Sequence, residues 1–207
     1  MDKLLEYITN PLFLVLIVFI VLLAILNILQ KLGRGGAWKQ IAAETGLQLS
    51  KHQTATYRDQ QLSGIYRKRP IALIESVSEE LRGSPGGSQT NTDTEIRIKI
   101  NIPQGIKMKL NRVISIGGAA QVTGDPEIDR RFNITSEPDW LARKVLAYSN
   151  VHQKLAGLKM GGNIFVQGAE LHFNQLGRIS DGRYLHFLFD FLVDLADAVE
   201  VAAAGVS

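Results

Sequence analysis

The chain has 207 residues, a formal net charge of +3 at pH 7 and no cysteine. Its 23 Lys+Arg against 20 Asp+Glu is too even a balance for a dedicated nucleic-acid-binding protein, which concentrates basic residues on one face. The lack of cysteine removes disulfides from consideration, but it is compatible with either side of a membrane.

One apolar stretch, Pro11–Leu29, stands apart from the rest of the chain. It has no charged residue, and its only polar side chain is Asn27. About 20 apolar residues in a helix, at about 1.5 Å per residue, cross a hydrocarbon core of about 30 Å. The sequence therefore predicts a transmembrane helix over 11–30, preceded by a short extracytoplasmic N-terminus over 1–10.

A cleaved signal peptide and a buried core helix are the alternatives for this stretch. The apolar run is longer than the roughly 7–15 residues of a signal-peptide core, and basic residues follow it directly. Lys31, Arg34 and Lys39 flank the run on its C-terminal side, against Lys3 before it. Because positive flanks prefer the cytoplasm, we predict a single-pass inner-membrane protein with a cytoplasmic C-terminal domain.

The residues after the span predict one soluble domain over 37–207, joined through a basic, Gly-rich connector over 31–36. A short helix is expected over Ala37–Thr45, since Trp38 and the apolar residues after it follow helical spacing. We expect Trp38 to pack against the domain, with the membrane interface as its alternative position.

Antiparallel strands are predicted for the middle of the chain. Gln61–Tyr66 and Ile71–Val77 flank a basic turn, and Glu79–Thr92 is typical of an exposed loop. Thr94–Ile102 alternates isoleucine with polar residues, which gives it one buried face and one wet face. Ile106–Leu110 also alternates, so it is expected to pair back on that strand as a hairpin.

The last third of the chain predicts two long helices around a second hairpin. After a loop over Gly117–Asp129 and a short strand over Arg131–Ile134, a helix capped by Ser136 is expected over Pro138–Leu158. The remaining predicted elements are two strands, Asn163–Val166 and Glu170–Leu176, and a terminal helix, Asp181–Ala203. Strands grouped apart from helices imply an α+β fold, with helices packed on one face of an antiparallel sheet.

The sequence contains no motif that names a reaction, and we predict no catalytic residue, metal site or cofactor. The four histidines lack metal-ligand spacing, and neither a phosphate-binding loop nor a G-x-S-x-G elbow is present. Asp190, Asp194 and Asp197 fall on one helix face, where they would hold Mg²⁺ or form a solvated surface. Asp125, Glu127, Asp129, Arg130 and Arg131 form a charged cluster that suits local salt bridges or acid/base chemistry.

Seven cations are predicted to share one region of the sheet. They are the wet-face residues of two strands and the three residues of a hairpin turn: Arg97, Lys99, Lys107, Lys109, Arg67, Lys68 and Arg69. A cluster of this kind would attract anionic lipid headgroups, at roughly 1 kcal/mol per cation near the surface. Lysines that discourage edge aggregation are the structural alternative.

The segment GDPEIDRRFNITSEPDWLARKVL, with HQKLAGL and NIFVQGAELHF after it, resembles a pattern in bacterial membrane-anchored proteins of unknown function. In that pattern a strand of the type F-x-V-x-S leads into a helix with A-x-x-x-L. Here those positions are Phe132, Ile134 and Ser136, followed by Ala142 and Leu146. A hairpin like GIYRKRPIAL stands upstream, commonly with Gly in place of Lys68. The resemblance implies a cytosolic or periplasmic domain on a membrane stalk, and it does not point to an activity or to a catalytic residue.

We therefore expect a membrane-tethered binding or scaffold domain that contacts anionic lipid or a partner protein at the membrane. One alternative is a metal-assisted hydrolase that uses the Asp190/Asp194/Asp197 face. The other is a lipid- or small-ligand-binding domain with its pocket between the sheet and the C-terminal helix.

Overall fold

A computed structural model describes residue 15 and residues 19–23, 36–53, 57–81, 88–112, 123–159 and 161–205. Val15 and residues 19–23 are helical. The rest of the predicted span over 11–30, together with Lys31 and Arg34, lies outside the described residues. Among the residues that are described, no helix is both long enough and apolar enough to cross a bilayer.

The domain begins with a helix over 36–45, here α1, which contains Lys39. The strands are β1 Gln48–Gln53, β2 Tyr57–Tyr66, β3 Arg69–Leu81, β4 Ser88–Lys99, β5 Lys107–Arg112, β6 Phe132–Glu137, β7 Gly162–Gln167 and β8 Glu170–Leu176. The later helices are α2 Pro126–Arg131, α3 Trp140–Leu146, α4 Ser149–Gly157 and α5 Gly182–Ala204.

The eight strands form one sheet in the order β1-β2-β3-β4-β8-β7-β5-β6, and every neighbouring pair is antiparallel. The predicted α+β class is therefore confirmed. The predicted hairpin between Thr94–Ile102 and Ile106–Leu110 is wrong, because β7 and β8 lie between β4 and β5. Alternation fixes which face a side chain occupies, but it does not identify the neighbouring strand.

One face of the sheet carries the core. Ile96 and Ile98 of β4 and Phe173 of β8 are fully buried, as the period-two pattern of these strands requires. Helix α5 packs on this face with Leu188 and Phe189, which are also fully buried. Each large apolar side chain buried here contributes roughly 1.5–3 kcal/mol relative to an exposed one. Helices α3 and α4 both contact α5, and α3 also contacts β6.

Several predicted elements have different bounds in the structure. Within the predicted loop Glu79–Thr92, the described residues 79–81 and 88–92 are strand, since β3 continues to Leu81 and β4 starts at Ser88. The predicted helix Pro138–Leu158 is two helices, separated where Tyr148 adopts an extended conformation. Trp38 is fully buried, so it packs against the domain and not at a membrane interface.

Ser136 lies in β6, but its side chain still acts at the start of α3. The Ser136 hydroxyl accepts a hydrogen bond from the backbone N–H of Ala142 at 3.1 Å and donates one to the carbonyl of Pro138 at 2.8 Å. Ser136 thus satisfies an N–H group of the first turn, but the N-cap residue is Asp139 and not Ser136, and the helix starts later than expected, at Trp140.

Gly162 lets the ring of Phe173 approach the backbone of β7. A Cβ atom at this position would lie 2.1 Å from Cε2 of Phe173. We expect Gly162→Ala to lower the free energy of unfolding by about 1–3 kcal/mol through overpacking. Urea unfolding of the full chain in detergent measures this change.

The control is Gly182→Ala at the start of α5, where a Cβ atom meets only ordinary contacts, with Cβ of Ala37 the nearest at 3.7 Å. This variant should be neutral or more stable, because alanine loses less backbone entropy on folding. Equal destabilisation by the two substitutions would contradict the close approach at Gly162.

Candidate functional site

The structure places six of the seven predicted cations on two opposite sides of the sheet and the seventh, Lys68, at the tip of a turn. Arg67 and Arg69 extend towards α5, on the face that carries the helices. Lys68 is exposed at the tip of the β2–β3 turn. The other four are on strand positions whose side chains alternate with the core, and therefore occupy the opposite face: Arg97, Lys99, Lys107 and Lys109. We call that opposite surface the open face.

The β2–β3 turn consists of two residues, Arg67 and Lys68, at φ values of 46° and 70°. Both values lie in the left-handed region, as a type I′ hairpin turn requires, and glycine or asparagine adopts it with less strain. This explains why glycine suits the position of Lys68. The tight turn brings the arginines on either side of Lys68 against α5.

Arg67 and Arg69 neutralise the acidic side of α5. Nη1 of Arg67 lies 3.3 Å from Asp190 and 2.9 Å from Asp194. Arg69 donates from Nε to Asp197 at 2.7 Å and from Nη2 to Glu200 at 2.7 Å. Nζ of Lys154 adds a 2.6 Å contact to Asp194. We call these residues the turn–helix ion network.

These contacts shift the ionisation of the network. The guanidinium of Arg69, followed by the backbone N–H of Asn101, lowers the pKa of Glu200, and burial opposes that shift in part. Burial, followed by the hydrogen bond to Asp190, raises the pKa of Tyr66 to about 12. The Tyr66 hydroxyl donates to Asp190 at 2.9 Å. The lowered pKa of Glu200 keeps its carboxylate ionised at pH 7, and the raised pKa of Tyr66 keeps its phenol neutral.

The ion pairs of Asp190, Asp194 and Asp197 argue against the hypothesis that these carboxylates bind a metal ion. Asp194 is buried and contacts two cations, while Asp197 is bound by Arg69. Within the described part of the chain, no group of three or more His, Asp or Glu residues is arranged to hold a metal ion. The arginines occupy the space beside these carboxylates that a hydrated Mg²⁺ would need.

The open face is organised around a row of residues in register. Lys109 of β5 is opposite Phe165 of β7, Phe165 is opposite His172 of β8, and His172 is opposite Arg97 of β4. The rings of Phe165 and His172 are parallel, with centroids 4.8 Å apart. Nδ1 of His172 is 3.0 Å from the Glu95 carboxylate. The contact between His172 and Glu95 and the stacking of His172 on Phe165 hold the centre of this surface in place.

Carboxylates balance the cations of the open face. Arg97 contacts Glu95 at 2.6 Å, which is the first cause of the lowered pKa of Glu95. Lys107 contacts Glu137 at 2.8 Å. Lys99 and Lys109 have no ion-pair partner among the described residues. The strand pattern places four acids beside the four cations of this face: Asp93, Glu95, Glu137 and Glu170.

A groove of about 760 Å³ lies on the open face, over β5, β6, β7 and the adjoining part of β8. Its lining combines lysines, amides, a hydroxyl and one aromatic ring: Lys107, Lys109, Thr135, Asn163, Phe165 and Asn174. Of these six residues, the sequence patterns predicted only the two lysines as part of a binding surface. The others come together only because β7 and β8 lie beside β5, a pairing that the alternation does not specify.

The charged cluster around α2 has a structural role. Asp125 accepts hydrogen bonds from the N–H groups of Glu127 and Ile128 and so caps the helix. Asp129 accepts from Thr123 and Gly124. The neighbouring Arg131 donates to backbone carbonyls at the end of α4. These contacts tie α2 to its own loop and to α4.

The chain matches no protein-family model and no curated protein. Its fold is similar to that in the crystal structure of the mycobacterial trehalose monomycolate transport factor A, TtfA, with a TM-score of 0.53. The two chains are 9% identical over 82% of this chain and 96% of that chain. At this identity the likeness shows a shared fold, in which an antiparallel sheet is combined with helices.

Arg69 should matter more for stability than an exposed lysine in a single ion pair. Its side chain is 15% exposed and serves two carboxylates, whereas Lys107 and Glu137 are each 67% exposed. We expect Arg69→Ala to lower the free energy of unfolding by about 1–3 kcal/mol. Lys107→Ala should cost less than about 1 kcal/mol.

The same pair of variants gives a pH test. A carboxyl group whose pKa is lowered by folding stabilises the folded state at pH values above its unfolded-state pKa, which is 4.5 for Glu200. This stabilisation is lost as the pH falls through the folded-state pKa. Unfolding followed between pH 7 and pH 3 should therefore show a smaller loss of stability for Arg69→Ala than for the parent chain. Parallel pH profiles would contradict the role of Arg69.

Proposed function

We propose that the chain is a membrane-tethered binding protein whose open face binds a partner at the bilayer surface. The observation that carries the proposal is the groove of about 760 Å³ on the side of the sheet opposite α5. Its size lies within the range of small-molecule sites, about 300–1,000 Å³, and it combines an aromatic ring with a few polar groups.

The apolar run over 11–29 supports the tether. Its described residues 19–23 are helical, and their side chains are about half exposed: Phe19, Ile20, Val21, Leu22 and Leu23. Large apolar side chains exposed together on a helix suit a lipid environment better than water. No described contact joins them to the core of the domain.

The basic residues after the run, Lys31, Arg34 and Lys39, favour a cytoplasmic domain at the inner membrane. Because the chain has no cysteine, Ser180→Cys gives a single reporter at an exposed position. An impermeant maleimide should label it only after the cells are permeabilised. Labelling in intact cells would place the domain on the opposite side.

The cations that have no ion-pair partner among the described residues indicate the chemical class of the partner. Arg67 and Arg69 form ion pairs with α5. Of the seven cations, Lys68, Lys99 and Lys109 therefore remain to contact an anionic group of a partner. This favours recognition by shape and hydrogen bonding over binding to a charged lipid surface. The structural neighbour TtfA is a trehalose monomycolate transport factor, and a binding function in this chain accords with that role.

The two other candidate functions have less support. The metal-assisted hydrolase would need the Asp190/Asp194/Asp197 carboxylates, which are held by Arg67, Arg69 and Lys154. A ligand site between the sheet and α5 would need space that Leu188, Phe189 and Phe173 fill with fully buried side chains.

Two lysines in the apolar run should release the protein from membranes. A lysine near the centre of a spanning helix costs about 2.5–3.5 kcal/mol on insertion scales. We expect the parent chain to resist extraction by alkaline carbonate and Ile20→Lys/Leu23→Lys to appear in the soluble fraction. The measurement is the distribution of full-length protein between the pellet and the supernatant.

The matched control places two lysines on exposed apolar positions of the domain, Ile65→Lys/Val201→Lys. These side chains are 63% and 58% exposed, so this variant should remain with the membranes. Release of the parent chain by carbonate would overturn the tether.

A further inference from the structure

The groove on the open face is lined by groups that suit an uncharged, hydroxyl-rich ligand. We propose that it binds the carbohydrate head group of a neutral glycolipid in the cytoplasmic leaflet. The inference rests on the proposed function, because the tether is what would hold the groove beside that leaflet. It names the ligand class that the open face recognises.

An aromatic ring supplies the apolar part of the site. One face of Phe165 is stacked on His172. Phe165 lines the groove together with Lys109, its register partner on the neighbouring strand. A planar ring held in this way offers a flat apolar surface of the kind against which the C–H face of a sugar ring packs.

Side-chain amides supply the polar part. Asn163 of β7 and Asn174 of β8 are directly opposite each other, and both are exposed in the groove. Gln167 and the hydroxyl of Thr135 complete the set. Each amide has two donor hydrogens and an acceptor oxygen, so one residue can donate to one sugar hydroxyl and accept from the next.

The charges of the lining favour a neutral ligand over an anionic one. Two lysines, Lys107 and Lys109, are accompanied by two acids, Glu137 and Asp139. Lys107 is already paired with Glu137. Sites for phosphate or carboxylate groups typically present a surplus of cations, with arginine favoured for bidentate contact. No arginine is among the residues that line this groove.

The dimensions suit a head group of more than one sugar. The lining crosses four neighbouring strands, or about 14 Å at about 4.8 Å per strand spacing. Along β7 it extends from Asn163 to Gln167, or about 13 Å at about 3.3 Å per residue. This area is broad enough for a disaccharide lying flat on the strands.

The test uses the full chain in phosphatidylcholine nanodiscs. The probes are free trehalose, maltose and cellobiose, detected by saturation-transfer NMR, and vesicles that contain either diglucosyldiacylglycerol or phosphatidylglycerol. We expect the chain to bind at least one of the free disaccharides and the glycolipid vesicles. Asn163→Ala/Asn174→Ala should weaken both by about tenfold or more, because it removes the hydrogen bonds of both amides to the sugar.

The matched control removes two exposed amide side chains from α4, Asn150→Ala/Gln153→Ala, and should leave binding unchanged. Because Asn163 and Asn174 are exposed, the groove variant should unfold at the same urea concentration as the parent. The proposed ligand class would be wrong if both double variants lost sugar binding equally. It would also be wrong if the chain bound vesicles only when they contained phosphatidylglycerol. A chain that stays in membranes but binds neither sugar nor glycolipid would also overturn it, while leaving the tether intact.

Discussion

The packing of α5 on the sheet is the constraint on which the rest of the structure depends. Leu188, Phe189 and Leu192 are buried between the helix and the strands. Because the helices occupy this one face, the opposite side of the sheet is left to present polar residues and one aromatic ring. Antiparallel sheets commonly divide their faces in this way. The position of α5 therefore determines where a binding surface can form.

The polar side of α5 makes this packing specific. Asp190, Asp194, Asp197 and Glu200 would repel one another if they were left unpaired along one helix. The two-residue turn between β2 and β3 brings Arg67 and Arg69 to them, so the same contacts fix the turn and offset the charge. Removing one partner from such a network leaves a partly buried charge without its counterion, which costs more than the loss of an exposed pair.

Local patterns predicted the elements whose own residues specify them. The last helix was expected over Asp181–Ala203 and is found over Gly182–Ala204, with Asp181 as its cap. The strand Glu170–Leu176 has its predicted bounds. Strand β1, Gln48–Gln53, was missed because Leu49 is its only apolar residue. The break near Tyr148 was missed because the apolar stripe continues through both helices.

The groove was not predictable from the same patterns, for a reason that lies in the topology. Lys109 and Phe165 are far apart in the chain and meet only because β7 inserts beside β5. The sequence gives each strand a wet face, but many strand orders satisfy that pattern. For the same reason Arg69, an apparent member of a basic surface, is in fact a counterion of α5.

In the proposed arrangement the open face, and not the helical face, contacts a partner at the membrane. Maleimide labelling of single-cysteine variants tests it most directly, because the parent chain has no cysteine. Thr135→Cys and Gln167→Cys report on the open face, and Val201→Cys reports on α5. We expect the first two to react several-fold more slowly in native membranes than in purified protein, while Val201→Cys reacts equally in both. Equal rates at all three positions, or protection of Val201→Cys alone, would contradict it.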